Sequence, residues 1–88
     1  MSRYDKLRER ILSGVADATV GFADLCQFLI HLGFKQRIRG DHHIFTAVGV
    51  EEIINIQPRG AHAKPYQVRQ VRNLILKYRL GERDGDQI

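Results

Sequence analysis

The sequence predicts an α+β fold in which helices pack on one face of a three-stranded antiparallel sheet. Apolar residues recur at helical spacing before Gly33 and again after Pro65, whereas residues 35–57 favour alternating strands. The connections inside that segment are short, and short connections join antiparallel neighbours. A chain of 88 residues can bury one modest core. We therefore predict a single domain over residues 1–88, with its core at about 22–80.

Three segments have the apolar spacing of amphipathic helices. They are residues 4–13, an extra N-terminal helix, then residues 22–32 and 66–78. Gly33 is a typical stop after the second helix, and Pro65 is typical of the first turn of the third. On the third helix the spacing predicts that Gln67 and Arg72 lie largely outside the core.

Three shorter segments have the composition of strands. They are residues 35–39, 43–47 and 52–57. Gly40-Asp41 and Gly49 are turn signals between them, and residues 58–65 read as a polar loop. One sheet face is expected to remain uncovered and partly basic. Residues 81–88 are predicted to form a flexible tail.

The charge is distributed unevenly along the chain. The net charge is +4 overall, but residues 35–79 carry +6 while residues 1–34 are neutral. A basic segment indicates a polyanionic partner, and nucleic acid fits better than a membrane surface because no amphipathic helix has aromatic anchors. The single Cys26 excludes an intrachain disulfide, and no apolar run is long enough to span a membrane. We expect a soluble protein of the reducing cytoplasm, without a membrane partner.

Two adjacent histidines, His42 and His43, are the candidate catalytic residues. Cleavage of RNA requires one group that takes the 2′-hydroxyl proton and one that protonates the leaving oxygen, and histidine can do both near neutral pH. Cations stabilise the charge that develops on the phosphoryl group. The candidate RNA-binding cations are Lys35, Arg37, Arg39, Arg59, Lys64 and Arg72.

Two other interpretations of the histidine pair are open. Adjacent strand residues point to opposite faces, so His42 and His43 cannot easily bind one metal ion together. Ligand spacings typical of zinc sites do not occur around them or around Cys26. We therefore predict no metal site and no cofactor. A histidine on an exposed strand is also often only a polar surface residue.

The segment from about Phe22 to Leu80 resembles the HicA-type toxins of bacterial and archaeal toxin–antitoxin modules. The resemblance rests on the helix that ends in LGF, and on RIRGDHHIF, INIQPRG and AKPYQVRQVRNLILKY. The family signature is a glycine, usually a serine, one or two histidines, and then an apolar or aromatic strand. Here Asp41 replaces the usual serine.

The resemblance implies a fold like a double-stranded RNA-binding domain and ribosome-independent cleavage of mRNA by a histidine without a metal. It also implies a HicB-type antitoxin protein that binds and masks that histidine. The catalytic position carries over to His42, or in some members to His43. Asp41 would stabilise a protonated His42, but it would also repel phosphate.

Two further functions compete with an endoribonuclease toxin. A non-catalytic nucleic-acid-binding module would use the same cations, because phosphate contacts supply most non-specific affinity. A protein-interaction module would use the basic face to bind an acidic partner. The histidine pair favours the enzyme over both, since a pure binder does not need it.

Overall fold

The chain folds as the predicted α+β class, and a computed structural model describes residues 2–82. Within that range the helices are α1 (Arg3–Ser13), α2 (Phe22–His31) and α3 (Pro65–Tyr78). A 3₁₀ turn, Asp17–Thr19, lies between the first two helices. The predicted tail lies, from residue 83 onward, outside the described residues. Across residues 2–82, no helix has both the length and the apolar character needed to cross a bilayer.

The three predicted strands form one antiparallel sheet in the order β1–β2–β3. They are β1 (Lys35–Arg39), β2 (His42–Ala47) and β3 (Val50–Ile56). The turn between β1 and β2 has two residues, and Gly40 adopts a φ of +61° at its first position. That left-handed conformation matches the twist of a two-residue hairpin. The prediction of three antiparallel strands is therefore confirmed, with β3 beginning two residues before its predicted start.

The prediction of a plain loop over residues 58–65 is wrong. Pro58–Arg59 (β4) and His62–Ala63 (β5) pair as a short antiparallel hairpin. The backbone N–H of Ala63 donates to the Val20 carbonyl, and that of Phe22 donates to the Ala61 carbonyl, both at 2.9 Å. The segment that precedes α2 thus supplies hydrogen-bond partners to this hairpin, and a local sequence pattern does not show such distant partners.

The LGF segment ends α2 and directs the chain into the sheet. Gly33 has a φ of +104°, and its N–H donates to the Ile30 carbonyl at 3.0 Å. The next N–H, from Phe34, donates to the Leu29 carbonyl at 3.0 Å. These two bonds form a Schellman motif. The Phe34 side chain is buried, so the motif also anchors the start of β1 in the core.

The core lies between the helices and one face of the sheet. Its largest fully buried side chains include Phe28 and Leu29 of α2, Phe45 of β2, Ile54 and Ile56 of β3, and Ile75 of α3. The expectation that Gln67 and Arg72 lie outside is wrong, because Gln67 is fully buried and the Arg72 side chain is only 18% exposed. Each of these side chains has polar partners that offset the cost of its burial. A prediction based on side-chain polarity alone therefore placed both residues outside the core.

Candidate functional site

Strand alternation places a row of cations on the sheet face that the helices leave uncovered. Phe45 and Ile54 are buried and lie opposite each other in the ladder, so their face is the covered one. The neighbouring positions point to the other side. We call that side the open face. Its residues are Lys35, Arg37 and Arg39 of β1, His42, Ile44 and Thr46 of β2, and Glu51, Ile53 and Asn55 of β3.

The cations of the open face have no anionic partner within the described part of the chain. Lys35, Arg37 and Arg39 are exposed and form neither an ion pair nor a side-chain hydrogen bond there. Other cations are neutralised by their own chain: Arg72 by Asp17 at 2.9 Å, and Lys77 by Glu52 at 2.7 Å. The positive charge of the open face therefore remains free to attract a polyanion.

A shallow depression of about 290 Å³ lies on this face beside the cations. Ile44 and Ile53 supply its apolar part, and Ile53 is 60% exposed. Lys35, Gln36, Arg37 and Thr46 complete the lining. The open face thus combines positive charge with exposed apolar surface.

His42 lies on the open face directly across the ladder from Arg39. Its Nδ1 is 3.0 Å from Asn55 Oδ1, and its Nε2 is 3.1 Å from Gln57 Nε2. An amide oxygen accepts and an amide nitrogen donates, so these two contacts fit an imidazole with its proton on Nδ1 and its lone pair on Nε2. Asp41 Oδ1 lies 3.9 Å from Nε2, too far for a hydrogen bond. The His42 side chain is 47% exposed, so an external molecule can reach the ring.

Gln57 connects His42 to Lys64 at the start of α3. The amide oxygen of Gln57 accepts from Lys64 Nζ at 3.5 Å, while its nitrogen faces His42. The buried Gln67 positions the backbone of Lys64, because its Oε1 accepts from the Lys64 N–H at 3.1 Å. The loop after the sheet therefore brings one of its cations to the side of the histidine.

His43 lies on the covered face. Its ring makes an edge-to-face contact with Phe22 of α2, with 4.8 Å between the centroids. Its Nδ1 is 2.9 Å from Gln36 Oε1. The two histidines thus point to opposite sides of the sheet, as strand alternation requires, and only His42 shares a face with the cations of β1.

The remaining candidate cations, Arg59 and Arg72, make no side-chain contact with His42 within residues 2–82. Arg59 is exposed in the β4–β5 hairpin, and its side chain forms no hydrogen bond or ion pair within those residues. Arg72 faces the connector before α2, where its Nη1 donates to Asp17 and to the Ile11 carbonyl at 3.1 Å. These contacts neutralise the Arg72 charge and leave its side chain only 18% exposed.

Two titratable groups with shifted pKa values, Glu52 and Cys26, serve the fold. The Lys77 ammonium, followed by the Tyr78 hydroxyl, lowers the pKa of the Glu52 carboxyl to about 2 through hydrogen bonds of 2.7 and 2.6 Å. These bonds fasten α3 to β3. Burial raises the pKa of the Cys26 thiol to about 11, which makes it a core residue with little thiolate at neutral pH.

Sequence reasoning missed the amides that surround the histidines. Asn55 and Gln57 contact His42, and Gln36 contacts His43. One signal was available: in Ile54-Asn55-Ile56-Gln57 apolar and amide side chains alternate, which puts both amides on the face away from the core. Their contact with His42 depends on strand register, which alternation does not specify.

Comparison of the chain with models of protein families, with curated proteins and with solved structures finds no match. Within residues 2–82, no cluster of three or more His, Cys, Asp or Glu side chains is arranged to hold a metal ion. The function of this chain is therefore inferred from its own motifs and from the geometry of the open face.

Proposed function

We propose that this protein is the endoribonuclease toxin of a HicA/HicB-type toxin–antitoxin module, and that it cleaves mRNA with His42 as general acid or base and without a metal. The observation that carries the proposal is that His42 shares the open face with Lys35, Arg37 and Arg39, none of which has an anionic partner within residues 2–82. The motif resemblance supports the reaction type.

The chemistry follows from the tautomer of His42. Its Nε2 carries the lone pair, so it can take the proton of a 2′-hydroxyl that replaces Gln57 as its partner. The 2′-oxygen then attacks the adjacent phosphorus and the bond to the 5′-oxygen breaks. His42 then holds the proton taken from the 2′-hydroxyl. The departing 5′-oxygen requires one proton, so the reaction is balanced for protons. Arg37, Arg39 and Lys64 supply positive charge for the phosphoryl oxygens.

The rest of the proposal concerns fold family, partners and location. Two helices on one face of a three-stranded sheet support a fold like a double-stranded RNA-binding domain, with α1 as an extension. The partners are mRNA and a small acidic HicB-type antitoxin that covers His42 and the open face. Complementary charge would speed their association. Because the proposed partners are mRNA and an antitoxin protein, we expect this protein in the cytoplasm.

The decisive experiment is an RNA cleavage assay in EDTA with the unmodified protein, His42→Ala and His43→Ala. A positioned acid–base group contributes about 10²–10⁴-fold to a rate, so we expect His42→Ala to lose cleavage by that factor. His43→Ala is the matched control. It loses the contact with Phe22, so its stability falls while its cleavage rate stays near that of the unmodified protein.

Three results would change the assignment. Cleavage that survives in His42→Ala and disappears in a folded His43→Ala would move the catalytic role to the covered face. Salt-sensitive RNA binding without cleavage would favour the non-catalytic binding module. Cleavage that EDTA abolishes would show a metal-dependent reaction. In cells, growth arrest on expression of this chain alone, relieved by the neighbouring gene, would support the toxin assignment.

A further inference from the structure

We infer that Asn55 is a positioning residue for His42: it holds the imidazole as the Nδ1–H tautomer, so that Nε2 presents the lone pair that accepts the substrate proton. The inference rests on the proposed function for its catalytic part. The tautomer itself can be measured without any substrate.

The geometry at Nδ1 carries the inference. Asn55 Oδ1 lies 3.0 Å from His42 Nδ1, and an amide oxygen only accepts, so Nδ1 must carry a proton. A neutral imidazole free in water favours the other tautomer, with the proton on Nε2. Asn55 therefore opposes the intrinsic preference of the ring, and it frees the nitrogen that faces Gln57.

Asn55 has the properties of a replaceable partner. Its side chain lies on the open face, is exposed, and forms no other side-chain hydrogen bond within residues 2–82. Substitution should therefore alter His42 and leave the core intact. Gln57 donates to Nε2 and reinforces the same tautomer, but it must leave when a substrate hydroxyl binds. During the reaction, Asn55 is therefore the amide that maintains the Nδ1–H tautomer of His42, because Gln57 has left.

The second histidine provides a matched control inside the same chain. His43 Nδ1 is 2.9 Å from Gln36 Oε1, so an amide oxygen holds the same tautomer on the covered face. Gln36 has no other side-chain hydrogen bond in the described residues. Gln36→Leu should thus remove the acceptor oxygen from His43 Nδ1, as Asn55→Leu removes it from His42 Nδ1.

The experiment measures imidazole ¹⁵N chemical shifts and RNA cleavage in the unmodified protein, Asn55→Leu, Asn55→Asp and Gln36→Leu. In Asn55→Leu we expect the Nε2–H form of His42 to become substantially populated. Cleavage should fall about 10–100-fold, the size of loss found when the hydrogen-bond partner of a metal-bound histidine is removed. Asn55→Asp keeps an acceptor oxygen, so it should restore the Nδ1–H form. Gln36→Leu should change the His43 signals and leave the His42 tautomer unaltered.

The outcomes separate the inference from the proposed function. An unchanged His42 tautomer in folded Asn55→Leu would overturn the inference, and so would a changed tautomer with an unchanged cleavage rate. If the unmodified protein does not cleave RNA at all, the proposed function fails, and the catalytic part of the inference fails with it. The chemical shifts would still decide whether Asn55 sets the tautomer.

Discussion

Replacing Arg72 by methionine tests whether this cation serves the fold or binds RNA. Arg72 Nη1 donates to both carboxylate oxygens of Asp17, at 2.9 and 3.2 Å, and to the Ile11 carbonyl at 3.1 Å. It thereby ties α3 to α1 and to the connector before α2. Methionine keeps much of the apolar stem, so Arg72→Met removes chiefly the charge and its hydrogen bonds.

The expected magnitude follows from the burial of the pair. Exposed ion pairs contribute about 0–1 kcal/mol, whereas removing one partner of a buried pair costs about 3–5 kcal/mol. The Arg72 and Asp17 side chains are 18% and 15% exposed, which is closer to the buried limit. We therefore expect Arg72→Met to lower the free energy of unfolding by about 2–4 kcal/mol. Part of that loss is the cost of leaving Asp17 buried without a partner.

Urea unfolding followed by circular dichroism measures this change, with Lys77→Met as the matched control. Lys77 also pairs with a carboxylate, but its side chain is 56% exposed, so we expect a clearly smaller loss of stability than in Arg72→Met. RNA affinity of Arg72→Met, measured under conditions where it is folded, should stay close to that of the unmodified protein. Equal stability losses in the two variants would refute the structural role. A large loss of RNA affinity in Arg72→Met would show that Arg72 contacts RNA.

Two further predictions concern the open face and the junction between α3 and β3. Arg37→Ala and Arg39→Ala should each reduce the slope of log affinity for single-stranded RNA against log salt by about 0.7, because each phosphate contact releases counterions. An unchanged slope in both variants would mean that these cations do not contact phosphate. Glu52 has its folded pKa lowered from 4.5 to about 2 by Lys77 and Tyr78, so its contribution to stability is complete above pH 4.5 and is lost as the pH falls toward 2. Urea unfolding across that range should therefore show a smaller loss of stability in Glu52→Gln than in the unmodified protein, and equal losses would contradict the pKa shift.

The sequence by itself determined the three helices, the three-stranded sheet and the separation of the two histidines. Helical and alternating periods are local properties, so the change of period after Gly33 marked the start of the sheet, and the return of the helical period at Pro65 marked the start of α3. Adjacent residues on a strand point to opposite faces whatever the rest of the chain does. The prediction that His42 and His43 cannot share a ligand therefore needed no tertiary information.

Only the tertiary structure decided which histidine meets the cations and what surrounds it. The covered face is the one on which α2 and α3 bury Phe45, and this leaves His42 on the open side. Its partner Asn55 is 13 residues away, on a different strand. Arg72 was misplaced for a related reason, since its ion pair with Asp17 spans 55 residues. Helix packing and strand register set these contacts, and a local pattern of polar and apolar residues does not specify which distant side chains will meet.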